Sequence, residues 1–193
     1  MRGGSAVQPI RLTAPVARED LAKLRAGERV LLSGVVYTAR DAAHARLCAA
    51  LEAGQPLPVD LRGQTVFYAG PTPTPPQRAS GAIGPTTSMR MDAFTPALLA
   101  YGVNALIGKG GRSPAVREAL MRAGAVYFAA IGGCAAYMSA CVKSVEVVAY
   151  DDLGAESVKR LVVEDMPLTV ALDCRGFDAY AEGVRAYLAQ RDA

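Results

Sequence analysis

Three short stretches of this chain gather residue types that bind anions. The first is Gly84-Pro85-Thr86-Thr87-Ser88-Met89-Arg90, in which consecutive hydroxyls run up to an arginine. Glycine allows close backbone approach and proline stiffens the loop, so hydroxyls and N–H groups are presented on a fixed frame. Arg90 can take a carboxylate through two parallel hydrogen bonds. The second stretch is Gly108-Lys109-Gly110-Gly111-Arg112-Ser113-Pro114. Glycines before a helix expose N–H groups to an anion, and Lys109 adds a positive charge. The third is Tyr37-Thr38-Ala39-Arg40-Asp41-Ala42-Ala43-His44, whose Arg40 and His44 stand four apart and share a helix face.

Taken singly, each stretch also has an ordinary reading. The hydroxyls of the first can make local turns, the glycines of the second a tight structural bend, and a lone histidine is more often structural than catalytic. The second stretch is not a phosphate-binding P-loop, because Gly110 follows the lysine where Ser or Thr is needed. It also lacks dinucleotide glycine spacing. Together the stretches say more. Arg40, Arg90 and Lys109 all fall at junctions where α/β proteins assemble their sites, and three cations suit a ligand with two carboxylates. The chain has no nucleophile–base pair, metal-ligand cluster or cofactor fingerprint in its sequence pattern. It reads as the binding half of a site.

The elements that must carry these loops follow from the pattern. Extended residues Ile10 to Thr13 lead to a short helix over Arg18 to Leu24, which stops at Gly27. Arg29 to Thr38 is an apolar, β-branched strand, Arg40 to Ala53 an Ala-rich helix ending at Gly54, and Gln64 to Ala69 another strand. Pro71-Thr72-Pro73-Thr74-Pro75-Pro76 is an extended surface loop, too short to link domains. Thr95 is expected to cap a helix that opens with Pro96 and closes at Gly102. Val103 to Gly108 is a strand. Ser113 caps the next helix, with Pro114 at its first position and Gly124 past its end. Ala125 to Ile131 is a strand, and a small-residue helix runs from Gly133 to Val142. Val145 to Tyr150 and Leu168 to Leu172 are strands, and Phe177 to Gln190 is the last helix. The alternation predicts an α/β domain with a partly parallel sheet, to which the strand-rich N-terminal third could add a second β layer. Residues 1–9 read as a disordered lead-in and 10–193 as one domain.

Composition narrows the classes. A net charge of +3 with scattered arginines does not point to nucleic acid. No stretch approaches the roughly 20 apolar residues of a membrane span, and Met1-Arg2-Gly3-Gly4-Ser5 is not followed by the apolar core expected of a signal peptide. Cys48, Cys134, Cys141 and Cys174 form no CxxC pair; in a cytoplasmic protein they would be reduced, and their spacing suggests no zinc or iron–sulfur site. They read as small buried hydrophobes, with Cys134 and Cys141 on one helix face.

GPTTSMRMD, TARDAAH, IGKGGRS and YFAAIGGCAA together resemble the β subunit, or C-terminal region, of class I fumarases and the related tartrate dehydratases. The resemblance runs from about Ile10 to Tyr180. It implies a layered β/β/α swivelling domain and an oxygen-sensitive hydro-lyase. It implies a [4Fe–4S] cluster held by three cysteines of a partner α chain, with no cluster ligand here and an α2β2 assembly. The open iron of that cluster acts in the family as a Lewis acid on substrate oxygens. Matched by motif, Arg40 and Arg90 would bind substrate carboxylates, Lys109 would add positive charge, and Thr87 would touch substrate. Thr86 would be the base that takes a proton from the carbon beside a carboxylate. Asp41 and His44 would orient Arg40 and the contact between domains. The stretches from Gly110 to Ala136 and from Val147 to Leu161 look more like the fumarase branch, which favours fumarate and L-malate over tartrate. Mesaconate, one methyl larger than fumarate, is a possible side substrate.

Overall fold

The computed structural model describes residues 8–191, so of the lead-in expected over 1–9, residues 1–7 lie outside the described residues. Among the described residues seven strands make one sheet, and five of them close it into a barrel. The strands are β1 (Ile10–Ala14), β2 (Arg29–Thr38), β3 (Thr65–Phe67), β4 (Ala105–Gly108), β5 (Val126–Ala129), β6 (Val142–Ala149) and β7 (Val158–Leu172). Their order is β1-β2-β3-β4-β5-β7-β6, and a further β2–β7 pairing shuts the ring β2-β3-β4-β5-β7. Neighbours from β1 to β5 run parallel. The strand β7 is antiparallel to β2, β5 and β6. The partly parallel sheet is therefore present, and its closed form is a mixed α/β barrel with β1 and β6 outside it.

Alternation along the strands sorts side chains to two faces. Val30, Leu32, Phe67, Ile107, Phe128 and Leu168 belong to one buried cluster, which fills the barrel. The opposite face carries Val66, Leu106 and Tyr127. It packs on helices α2 (Asp41–Glu52), α3 (Thr95–Tyr101) and α4 (Pro114–Ala123) through Leu47, Leu98 and Leu120. Leu21 of α1 (Arg18–Leu21) and Met138 of α5 (Ala135–Ala140) join the barrel cluster. The last helix, α6 (Ala179–Arg191), has no buried residue. No helix among the described residues is long and apolar enough to cross a membrane.

Three expectations need correction. The strand expected only over Leu168 to Leu172 is a 15-residue strand, β7. Glu164, Asp165 and Pro167 interrupt its apolar pattern, and Asp165 takes a left-handed φ of 49°. That irregularity faces the register shift between Leu32 and Gly34, and the Asp165 N–H donates to Ser33 Oγ at 3.0 Å. Gly34 is needed there, because a Cβ would lie 2.2 Å from the Ala14 carbonyl. Thr95 does not cap α3: it is the first helical residue, and its hydroxyl donates to the Met91 carbonyl at 2.8 Å. Cys134 and Cys141 are not buried residues within a helix either. They flank α5 at its two ends, half-buried against the barrel core. The Ser113 cap, with Pro114 inside and a left-handed Gly124 beyond, forms as expected.

Candidate active site

Parallel strands deliver their carboxyl ends to one rim of the barrel, and the three candidate stretches meet there. Arg40 follows β2, Ala69 and Gly70 follow β3, and Lys109 follows β4. The 84–90 loop is laid between the last two as a strand-like insert. Pro85 bridges to Ala69 and Thr87 to Lys109. The Thr86 N–H donates to the Tyr68 carbonyl at 2.6 Å, and the Ser88 N–H to the Lys109 carbonyl at 3.0 Å.

Ser88 locks this arrangement from below. It is fully buried, and its Oγ accepts the Lys109 N–H at 3.0 Å. The Tyr127 hydroxyl lies 3.0 Å from that oxygen and 2.9 Å from the Gly110 carbonyl. Burial raises the Tyr127 phenol well above its ordinary range, so it stays a neutral hydroxyl. Gly108 has no room for a side chain, since a Cβ would meet Ser88 Oγ at 1.9 Å.

Arg112 is the deepest charge of the site. Its side chain is 0% exposed and pairs with Asp92 at 2.7 Å. The guanidinium stands over the rings of Tyr68 and Tyr127, 5.3 and 5.0 Å from their centroids. It also donates to Thr95 Oγ1 at 2.7 Å, while the other Asp92 oxygen accepts the Ser113 N–H at 2.7 Å. One buried ion pair thus ties the GKGGRS loop to the segment after Arg90.

Three cations reach the open side. Arg90 donates from Nε to Asp41 Oδ1 at 2.8 Å, and its terminal nitrogens have no hydrogen-bond partner among the described residues. Arg40 lies 3.8 Å from Asp41 and 3.4 Å from Glu156. Among the described residues the Lys109 ammonium has no acceptor, and a Cβ on Gly132 would lie 3.6 Å from its Nζ. Thr86 is half-buried and Thr87 exposed, and neither hydroxyl has a hydrogen-bond partner among the described residues. The 3-10 turn Ser88–Met91 brings Arg90 onto the same side as Arg40.

His44 sits behind Arg40, completely buried, 2.9 Å by Nδ1 from the Arg40 carbonyl. A carbonyl only accepts, so Nδ1 carries the proton and Nε2 is the bare nitrogen. That Nε2 has no partner. Its ring packs edge-on to Tyr68 at 5.2 Å. Burial pushes the His44 pKa down to about 4; the Arg40 carbonyl opposes this and the Arg112 charge adds to it.

All seven residues singled out in the sequence (Arg40, Asp41, His44, Thr86, Thr87, Arg90 and Lys109) therefore sit at this rim or directly behind it. Sequence reading missed Arg112, Asp92, Tyr127 and Glu156 as parts of it. Asp92 closes the MRMD motif, but nothing in the sequence says that it pairs with a buried arginine. No group of three or more His, Cys, Asp or Glu among the described residues could hold a metal ion. The cysteines do not fit an iron–sulfur cluster: Cys48 packs in the helix layer and the other three against the barrel core.

Fold and rim together define an α/β barrel module with a cationic, hydroxyl-bearing rim. The family described as "Fumarase C-terminus" matches residues 2–183. The chain is 37% identical over 184 residues to the aerobic class I fumarate hydratase of Escherichia coli strain K12, covering 93% of this chain and 33% of that protein. It is 37% identical over 167 residues to fumarate hydratase 2 of Leishmania major, covering 86% of this chain and 29% of that one. It is 35% identical over 190 residues to the L(+)-tartrate dehydratase subunit beta of Escherichia coli K12, covering 94% of this chain and 91% of that subunit. The chain belongs to the fumarase C-terminal family, as the β-subunit-like part of the class I fumarase and L-tartrate dehydratase group. It spans about a third of the length of the fumarate hydratases it matches.

Proposed function

We propose that this chain is the β subunit of an iron–sulfur hydro-lyase that reversibly hydrates fumarate to L-malate. The observation that carries the reading is the rim itself: Arg40, Arg90 and the unpaired Lys109 around two unbonded threonine hydroxyls. Three cations face two carboxylates, Asp41 and Glu156, so the rim is net positive and suits a dianion. Arg90 and Arg40 bind the substrate carboxylates, Lys109 adds charge and Thr87 a hydroxyl contact. Thr86 takes or returns the proton on the carbon beside a carboxylate. A threonine alkoxide needs a strongly positive surrounding, which Arg90 and Lys109 supply. Asp41 and His44 orient Arg40, the first through charge and the second through the Arg40 carbonyl.

The [4Fe–4S] cluster belongs, in this reading, to a partner α subunit in a cytoplasmic α2β2 assembly, and that partner also supplies the acid for the leaving hydroxyl. The barrel swivels as a layered unit against it. L-Tartrate is the second reading, supported by the 35% identity to a tartrate dehydratase β subunit over nearly its full length. Mesaconate is a side substrate. The test is anaerobic reconstitution with a cluster-loaded α chain. Fumarate hydration by the pair, and by neither chain alone, is the expected result. Turnover of tartrate in place of fumarate selects the second reading. A loaded pair that turns over neither fumarate, malate nor tartrate sinks the proposal.

A further inference from the structure

Arg40 enters α2 from extended backbone, with φ −122° and ψ −165°. Its Nε is buried and has no partner, so whatever fixes the guanidinium acts at the Nη end. Two carboxylates stand there. Asp41 is the farther, at 3.8 Å, and its Oδ1 is already committed to Arg90. Glu156 is nearer, at 3.4 Å through Oε1. Its other oxygen, Oε2, accepts the Ala42 N–H at 3.0 Å, in the first turn of α2. The carboxylate is thus anchored by one oxygen and presents the other to Arg40.

The turn that carries Glu156 is itself pinned. Lys159, buried on β7, donates its ammonium to the Gly154 carbonyl at 2.7 Å, the Ala155 carbonyl at 3.3 Å and Ser157 Oγ at 2.5 Å. The Ser157 hydroxyl donates to the Gly154 carbonyl at 2.8 Å. A Cβ on Gly70 would lie 2.7 Å from the Ala155 carbonyl and 3.3 Å from Arg40 Cδ. The stem of Arg40 is therefore confined between Gly70 and this turn.

We propose that Glu156 is a further positioning residue of Arg40 beside Asp41 and His44, holding the guanidinium aimed at a substrate carboxylate, with Lys159 as the clip of its turn. The inference rests on the reading above that Arg40 binds substrate. A flexible arginine loses rotamer freedom when it binds, and a prepaired one has already lost it.

The test uses side-chain ¹⁵N spectra of the full chain, with the Arg40 signal identified by its loss in Arg40→Lys. The expected result is hindered rotation of the Arg40 guanidinium in the wild type and rotation at least about ten-fold faster in Glu156→Ala. Glu156→Gln keeps an acceptor for the Ala42 N–H, guards against a folding defect, and should fall between the two. In the reconstituted pair, Glu156→Ala should raise KM for fumarate about ten-fold with kcat within about two-fold, and Glu156→Gln should recover most of the loss. Unchanged Arg40 rotation in both variants overturns the inference, as does an unchanged KM in an active pair. A wild-type pair without turnover counts against the hydro-lyase reading, and the spectra still decide the role of Glu156.

Discussion

Asp41 accepts a hydrogen bond from Arg90 Nε at 2.8 Å, while its other oxygen faces Arg40 at 3.8 Å. One carboxylate at the start of α2 thereby stands between the two arginines proposed to bind substrate. The bond leaves the terminal nitrogens of Arg90 free to meet a carboxylate in parallel.

Asp41→Asn should therefore weaken substrate binding more than it weakens the fold. Arg90 is 55% exposed, and such a pair contributes only about 0.5 kcal/mol to stability. Urea unfolding should change by less than about 1 kcal/mol, while KM for fumarate in the reconstituted pair rises about ten-fold. A fall in stability of several kcal/mol with an unchanged KM would show that Asp41 serves the fold alone.

Arg112 and Asp92 should behave in the opposite way. Their side chains are 0% and 12% exposed, and each would leave the other buried and uncompensated. Asp92→Ala should cost about 3–5 kcal/mol in urea unfolding. A loss below about 1 kcal/mol would mean that the pair does not tie the GKGGRS loop to the segment after Arg90.

His44 gives the fold a pH dependence of definite sign. Its pKa is lowered from the ordinary 6.5 to about 4 by burial, so the unfolded chain binds a proton that the folded chain refuses. The stability tied to neutral His44 is fully present above about pH 6.5 and is lost as pH falls toward 4. The size is of order 3 kcal/mol. Thermal unfolding of wild type and His44→Asn between pH 7.5 and 4.5 checks this. The variant should lose much of the slope; equal slopes would place the titration elsewhere.

Much of the rim could be read from residue order because its parts are local. Ser113, Pro114 and Gly124 announce both ends of α4, and Lys109 lies just before that helix. Arg40 follows β2, which the sequence shows as one apolar, β-branched run, and stands just before α2. The partners that hold these residues could not be read in this way. Glu156 reaches the first turn of α2 only because β7 closes the barrel against β2, and β7 is disguised by Asp165 and Pro167. Arg112 looks like an ordinary loop arginine until Tyr68, Tyr127 and Asp92 surround it. Barrel closure, the feature that brings these groups together, depends on pairings between distant segments that no local pattern encodes.

The most direct measurement of the central claim is kcat/KM for fumarate of the anaerobic pair carrying Arg90→Ala. Removing a charge-assisted, two-bond contact to a carboxylate costs about 3–4 kcal/mol, so a loss of roughly 10²–10³-fold is expected, with the spectrum of the partner's cluster unchanged. Full activity in that variant would contradict the account and leave the chain as a domain that only docks onto an enzyme.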